Sequence, residues 1–149
     1  MSPINTYTVL APVQPAAATT AEHTHAVGAD VGVSFEVKRS EFITYLKRVT
    51  TEDEARELID ATRKVHHDAR HHCSAFVLGA DRGVQRSNDD GEPAGTAGVP
   101  MLDVLRKRVT GPDLADLSDT CAVVVRYFGG IKLGAGGLVR AYSEAVSTG

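Results

Sequence analysis

Apolar and polar residues first alternate at Val31, Val33, Phe35 and Val37, which interleave with Gly32, Ser34, Glu36 and Lys38. A period of two turns one face to a core and the other to water, so this stretch predicts a strand with Ser40 to Val49 as its hairpin partner. The period then changes. Thr51 and Glu54 have the spacing of a capping box, and Ala55, Leu58, Ile59, Thr62 and Val65 recur on one helical face, predicting a helix to about His66. His72 to Leu78 reads as a buried strand, the turn Ala80-Asp81-Arg82-Gly83 leads into a short strand from Val84 to Ser87, and Asn88 to Gly98 is a loop. Pro100 near its start and Gly111-Pro112 at its end bound a second helix, with Met101, Leu102, Val104, Leu105 and Val109 apolar. Thr120 to Phe128 is apolar on both faces from Ala122 to Val125, which places it at the centre of the sheet. Gly129 to Gly137 is a loop, and Leu138 to about Ser147 a last helix. The order predicts an α/β (α+β) two-layer sandwich, a mixed sheet with helices on one face.

Residues 1 to about 30 break this pattern. They are rich in Ala, Thr and Pro and poor in large apolar side chains, so they predict a disordered tail before one domain over residues 31–149. A chain of 149 residues suits a single core. Aromatic residues are 5% of the chain and Trp is absent, which leaves no material for a broad base-stacking platform. The net charge of -3 removes any global attraction to phosphate polymers, and residues 1–37 contain no Lys or Arg. Nucleic-acid contact must therefore be local. Cys73 and Cys121 lie in apolar runs and read as buried, reduced thiols, while the sequence shows neither a secretory leader nor a span long enough for a bilayer. A cytoplasmic protein is expected.

The strongest chemical signal runs from Arg126 to Arg140, where the central strand passes through Gly129, Gly130, Gly134, Gly136 and Gly137 into a helix. Glycines let backbone amides converge and a ligand approach, the helix N-terminus adds unpaired donors and partial positive charge, and Arg126, Lys132 and Arg140 add cations. That combination suits an anion. The same glycines would equally serve a tight turn and close helix-to-sheet packing. The spacing is neither a Walker A loop nor a dinucleotide fingerprint, so no nucleotide cofactor is implied.

Asp89, Asp90 and Glu92 form an acidic candidate site in the second glycine-containing loop. Their spacing does not match an EF-hand, and an acidic turn with Thr96 capping the next helix explains them as well as a metal does. His66, His67, His71, His72 and Cys73 are zinc-ligand types, but they form a single local run, and His23 and His25 lie in the expected tail. Histidines at a helix end and strand start that satisfy backbone groups are the favoured reading. Cys73 beside His72 makes a poor nucleophile pair, because strand neighbours point to opposite faces. No metal, cofactor or catalytic residue is assigned.

Three stretches, Asp68 to Cys73, Ser87 to Gly98 and Val123 to Tyr142, resemble the hallmark segments of the YigZ/IMPACT family, and the resemblance covers about Val33 to Thr148. It implies a fold like the second domain of the small-subunit ribosomal protein five and domain IV of elongation factor G. Eukaryotic members are similar to regulators of translation in the amino-acid-starvation response, and bacterial members look like RNA-, ribosome- or ligand-binding proteins. A second, ferredoxin-like domain common in the family is expected to be absent. The resulting expectation is a translation-associated binding domain contacting RNA, a ribosome or a translation factor through the glycine loop. The alternatives are an enzyme acting on a small phosphorylated or acidic substrate, with Asp89, Asp90 or Glu92 as metal ligand or base, and a protein-interaction module.

Overall fold

A computed structural model describes residues 23–79, 83–107 and 119–148. The expected tail up to residue 22, the turn at residues 80–82 and the helix stop at Gly111-Pro112 lie outside the described residues. The elements are β1 (Ala26–Val27), β2 (Asp30–Val31), β3 (Val33–Val37), β4 (Ser40–Arg48), α1 (Glu52–Val65), β5 (His71–Leu78), β6 (Val84–Asn88), α2 (Gly98–Lys107), β7 (Thr120–Tyr127) and α3 (Gly134–Thr148).

The main sheet has the order β3-β4-β7-β5-β6, with β7 central as its two apolar faces require. Every pairing in it is antiparallel. The expected α+β class holds, but the sheet is not mixed. Nor do the helices share one face. Period two along β7 sends Ala122 and Val124 to a core with Phe42, Met101, Leu138 and Tyr142 under α2 and α3, and Cys121 and Val123 to a second core with Ala55 and Leu58 of α1. A strand apolar on both faces needs cover on both, which is why α1 occupies the side opposite α2 and α3.

Local signals set the element ends. Thr51 Oγ1 accepts the Glu54 amide at 3.1 Å and caps α1, while the Glu54 carboxylate accepts the Thr50 amide at 2.6 Å. α2 is capped differently from the expectation: Thr96 donates to the Pro93 carbonyl, and Asp89 Oδ1 accepts the amides of Ala97 and Gly98 at 3.2 and 2.7 Å. A carboxylate meets two of the unpaired first-turn amides and complements the helix dipole better than a hydroxyl. α3 begins one turn before Leu138, because burial of Leu133, Leu138, Ala141 and Tyr142 outweighs the poor helix propensity of its glycines.

The expectation of disorder up to Asp30 fails from His23 onward. Ala26 pairs with Val31 and Val27 with Asp30, forming a hairpin whose Val27 packs with Ile43, Tyr45 and Val125. Composition undervalued this segment because its anchors are two histidines and one valine. Val31, expected to face inward, is 76% exposed, since the chain bends at Gly32, where a Cβ would meet Ile43 Cγ2 at 2.6 Å. Among the described residues no helix is long and apolar enough to cross a membrane.

Candidate cationic cleft

β7 ends in Arg126, Tyr127 and Phe128, and the loop that follows returns into the N-terminus of α3. Between that loop and the acidic loop before α2 lies a cavity of about 330 Å³, lined by Arg70, His71, Glu92, Pro93, Arg126, Phe128, Lys132, Leu133, Gly134, Ala135 and Leu138. The two glycine-containing segments thus share one cleft, although strand and helix order alone did not require it.

Its buried base is an ion pair. Arg126 Nη1 donates to Glu92 Oε1 and Oε2 at 3.0 and 2.8 Å, and Arg126 Nε donates to Ser40 Oγ at 3.3 Å. The Tyr142 hydroxyl donates to Glu92 Oε2, and burial raises that phenol far above its ordinary range, so it remains a donor. His71 Nδ1 donates to the Asp90 carbonyl at 2.9 Å, which aims its Nε2 at Glu92 Oε1, 3.5 Å away. Arg126 and Glu92 are 5% and 7% exposed, so each charge is held by the other and by these neighbours rather than by water. Arg70 and Arg126 place their guanidinium carbons 4.8 and 5.3 Å from the Phe128 ring.

The acidic triplet does not act as one site. Asp89 accepts amides of Gly95, Ala97 and Gly98, and Asp90 Oδ2 accepts the His72 amide at 2.7 Å while Oδ1 accepts from Arg63 Nη2 at 2.8 Å. Burial alone would raise both carboxyls, but the amides around Asp89 and the Arg63 guanidinium beside Asp90 outweigh it and hold them below the ordinary value. Glu92 alone of the three reaches the cleft. Among the described residues no group of three His, Cys, Asp or Glu side chains is placed to hold a metal.

The glycine-loop residues divide as well. Arg126, Lys132 and Gly134 line the cleft. Gly129 is a packing device, since a Cβ there would meet the Arg39 carbonyl oxygen at 1.9 Å, and Gly130 and Gly134 hold φ of +92° and +77°. Gly137 and Arg140 line a separate hollow of about 290 Å³ with Lys38 and Glu144. Gly136, in the first turn of α3, has nothing within 4 Å of where a Cβ would stand. The packing and turn reading of the glycines holds at Gly129, Gly130 and Gly134, and Gly134 also lines the cleft.

Residue patterns missed Arg70, His71 and Phe128 as lining of the cleft and Tyr142 as a partner of Glu92. Arg70 and His71 stand in the first family-like stretch, but only the pairing of β5 with β7, His71 opposite Arg126, carries them there. The histidine run has structural partners: His72 Nε2 donates to the His66 carbonyl at 2.6 Å, and His66 is wholly buried between the hydroxyls of Tyr45 and Tyr127. His23 and His25 bond Glu41 at 2.6 and 3.2 Å, and His23 stacks on Tyr127 with ring centroids 3.4 Å apart. Both cysteines are free and buried; burial pushes the Cys121 thiol up to about 12 and the Cys73 thiol higher still, which leaves neither activated as a nucleophile.

Fold and cleft together define an α+β domain with helices on both faces of an antiparallel sheet and a small cationic cleft at one sheet end. The chain belongs to the IMPACT family: residues 38–149 match the Impact N-terminal domain. It is 58% identical over 113 residues to the IMPACT family member YvyE of Bacillus subtilis, covering 76% of this chain and 49% of that protein. It is 46% identical over 121 residues to the IMPACT family member YigZ of Escherichia coli, covering 80% and 56%. A crystallised hypothetical protein superposes with a TM-score of 0.72 at 46% identity, over 81% of this chain and 56% of that one. The chain spans about half the length of the curated relatives it matches.

Proposed function

We propose that this domain is a translation-associated regulatory module that binds a phosphate-bearing partner, RNA being the partner class, at the cleft between the α3 N-terminus and the Glu92–Arg126 pair. The translation link comes from the family, whose eukaryotic members are similar to regulators of translation. The site comes from one observation: Arg70, Arg126 and Lys132 line the same cavity as the first residues of a fifteen-residue helix. Side-chain charge and helix dipole then act at one point on an otherwise acidic chain. Asp89 and Asp90 commit their oxygens to amides and Arg63, which removes support from metal-assisted catalysis on a small substrate.

Lys132 tests the reading because it is exposed and belongs to the loop. Lys132→Ala should leave the melting temperature unchanged and weaken RNA binding about tenfold or more, the worth of one charge-assisted contact. The dependence of log affinity on log salt should become shallower by about one unit. Fluorescence titrations of the wild type and variant against single-stranded RNA at two salt concentrations measure both. Identical affinity and slope would reject this site.

A further inference from the structure

The cleft has a charge and a size that narrow its ligand. Arg70, Arg126 and Lys132 face a single carboxylate, Glu92, leaving an excess of two positive charges before the helix dipole is counted. Both Glu92 oxygens already accept, Oε1 from Arg126 and Oε2 from Arg126 and Tyr142. The Arg126 guanidinium is less fully used: Nε and Nη1 are bonded, whereas Nη2 makes no hydrogen bond among the described residues. A ligand reaching the base of the cavity therefore meets a donor on a side chain that is nine-tenths buried. Gly134 and Ala135, in the first turn of α3 where amides lack intrahelical acceptors, line the same cavity.

We propose that the cleft receives a phosphomonoester, the terminal phosphate of a small ester or of a strand end, rather than the phosphodiesters inside a strand. The proposal rests on the phosphate-binding reading above and refines it. A phosphomonoester is largely a dianion at neutral pH and balances an excess of two charges, while an internal phosphodiester carries one. The cavity volume of about 330 Å³ is at the lower end for ligand sites and admits a phosphate with one compact body, not a strand passing through. Phe128, Leu133, Leu138 and Pro93 give that body apolar walls.

Anisotropy titrations with a short oligouridylate carrying a 5′-phosphate, a 3′-phosphate or neither separate the two chemistries, with uridine 5′-monophosphate and uridine as competitors. A phosphorylated end should bind about tenfold tighter than the unphosphorylated strand, the monophosphate should compete and uridine should not. Lys132→Gln and Arg70→Gln, both at exposed rim positions, should each erase most of that preference. Binding of the monophosphate without any oligonucleotide supports the phosphomonoester site, assigns its source to a free ester and rejects the RNA partner. Equal binding of all three strands with no competition overturns the phosphomonoester proposal and leaves the RNA reading standing. No binding of any probe overturns both.

Discussion

Arg126 and Tyr127 are consecutive on β7 and complete two polar clusters on opposite faces of the same sheet. Arg126 points under α3, where it meets a carboxylate and a phenol and opens on a cavity. Tyr127 points under α1. Its hydroxyl donates to Asp68 at 3.2 Å, so it must accept from His66 Nδ1, and His66 Nε2 in turn accepts from the Tyr45 hydroxyl. That chain uses every donor and acceptor of a neutral ring, and burial holds the His66 imidazole down to about 4. One cluster keeps a buried ion pair and a spare donor; the other centres on a buried, neutral imidazole and ends on the exposed Asp68 carboxylate. A fold has reason to build the second for stability alone, whereas the first retains buried charge that an apolar pair could replace.

The largest expected effect tests the charge itself. Arg126→Met removes the partner of a buried carboxylate and should cost about 3–5 kcal/mol in urea unfolding, with much of the loss recovered when Glu92→Gln is added. A cost under about 1 kcal/mol would mean that the cavity hydrates Glu92 and that the pair is not a true interior pair. Binding should fall in both variants.

On the opposite face the effect is one of pH. An unfolded histidine titrates near 6.5, so between about 6.5 and 4 the unfolded chain binds a proton that folded His66 refuses. Stability from this group is fully present above 6.5 and is lost as pH falls toward 4, by about 3 kcal/mol over the window. His66→Gln should flatten that part of the stability profile, measured by urea unfolding at several pH values. An unchanged slope would assign the acid sensitivity to other groups.

The smallest effect separates ligand approach from packing at the first turn of α3. Gly136 lies outside the left-handed region and a Cβ there meets nothing within 4 Å, so Gly136→Ala should stabilise the domain by up to about 1 kcal/mol and raise the melting temperature a few degrees. If the partner closes over that turn, RNA affinity should fall despite the gain. Stability and affinity rising together would place the partner elsewhere on the cleft rim.

Most of the secondary structure was legible because its causes are local. The Thr51 cap of α1 and the doubly apolar β7 depend on residues within a few positions of one another, and each appears where the pattern placed it; β3 forms over Val33–Val37, but Val33, expected to face the core, is 48% exposed. The histidine-anchored hairpin at residues 26–31 escaped because its bonds run to Glu41 and Tyr127, far along the chain. The candidate site was half legible. Lys132, Gly134 and the acidic loop announce themselves by composition, but nothing periodic links Glu92 to Arg126 or Tyr142, which stand 34 and 50 residues away.

The sequence by itself determined most of the strands and helices from Val33 onward, that β7 is apolar on both faces, and that a glycine-rich turn carries cations into a helix. Only the tertiary structure decided that every strand pair is antiparallel, that α1 lies opposite α2 and α3, and that Asp89 and Asp90 serve backbone and Arg63 while Glu92 alone enters the cleft. Propensity and periodicity are properties of neighbours in the chain. A buried charge chooses its partner across the sheet, from whatever the packing of two loops and a helix brings within about 3 Å of it.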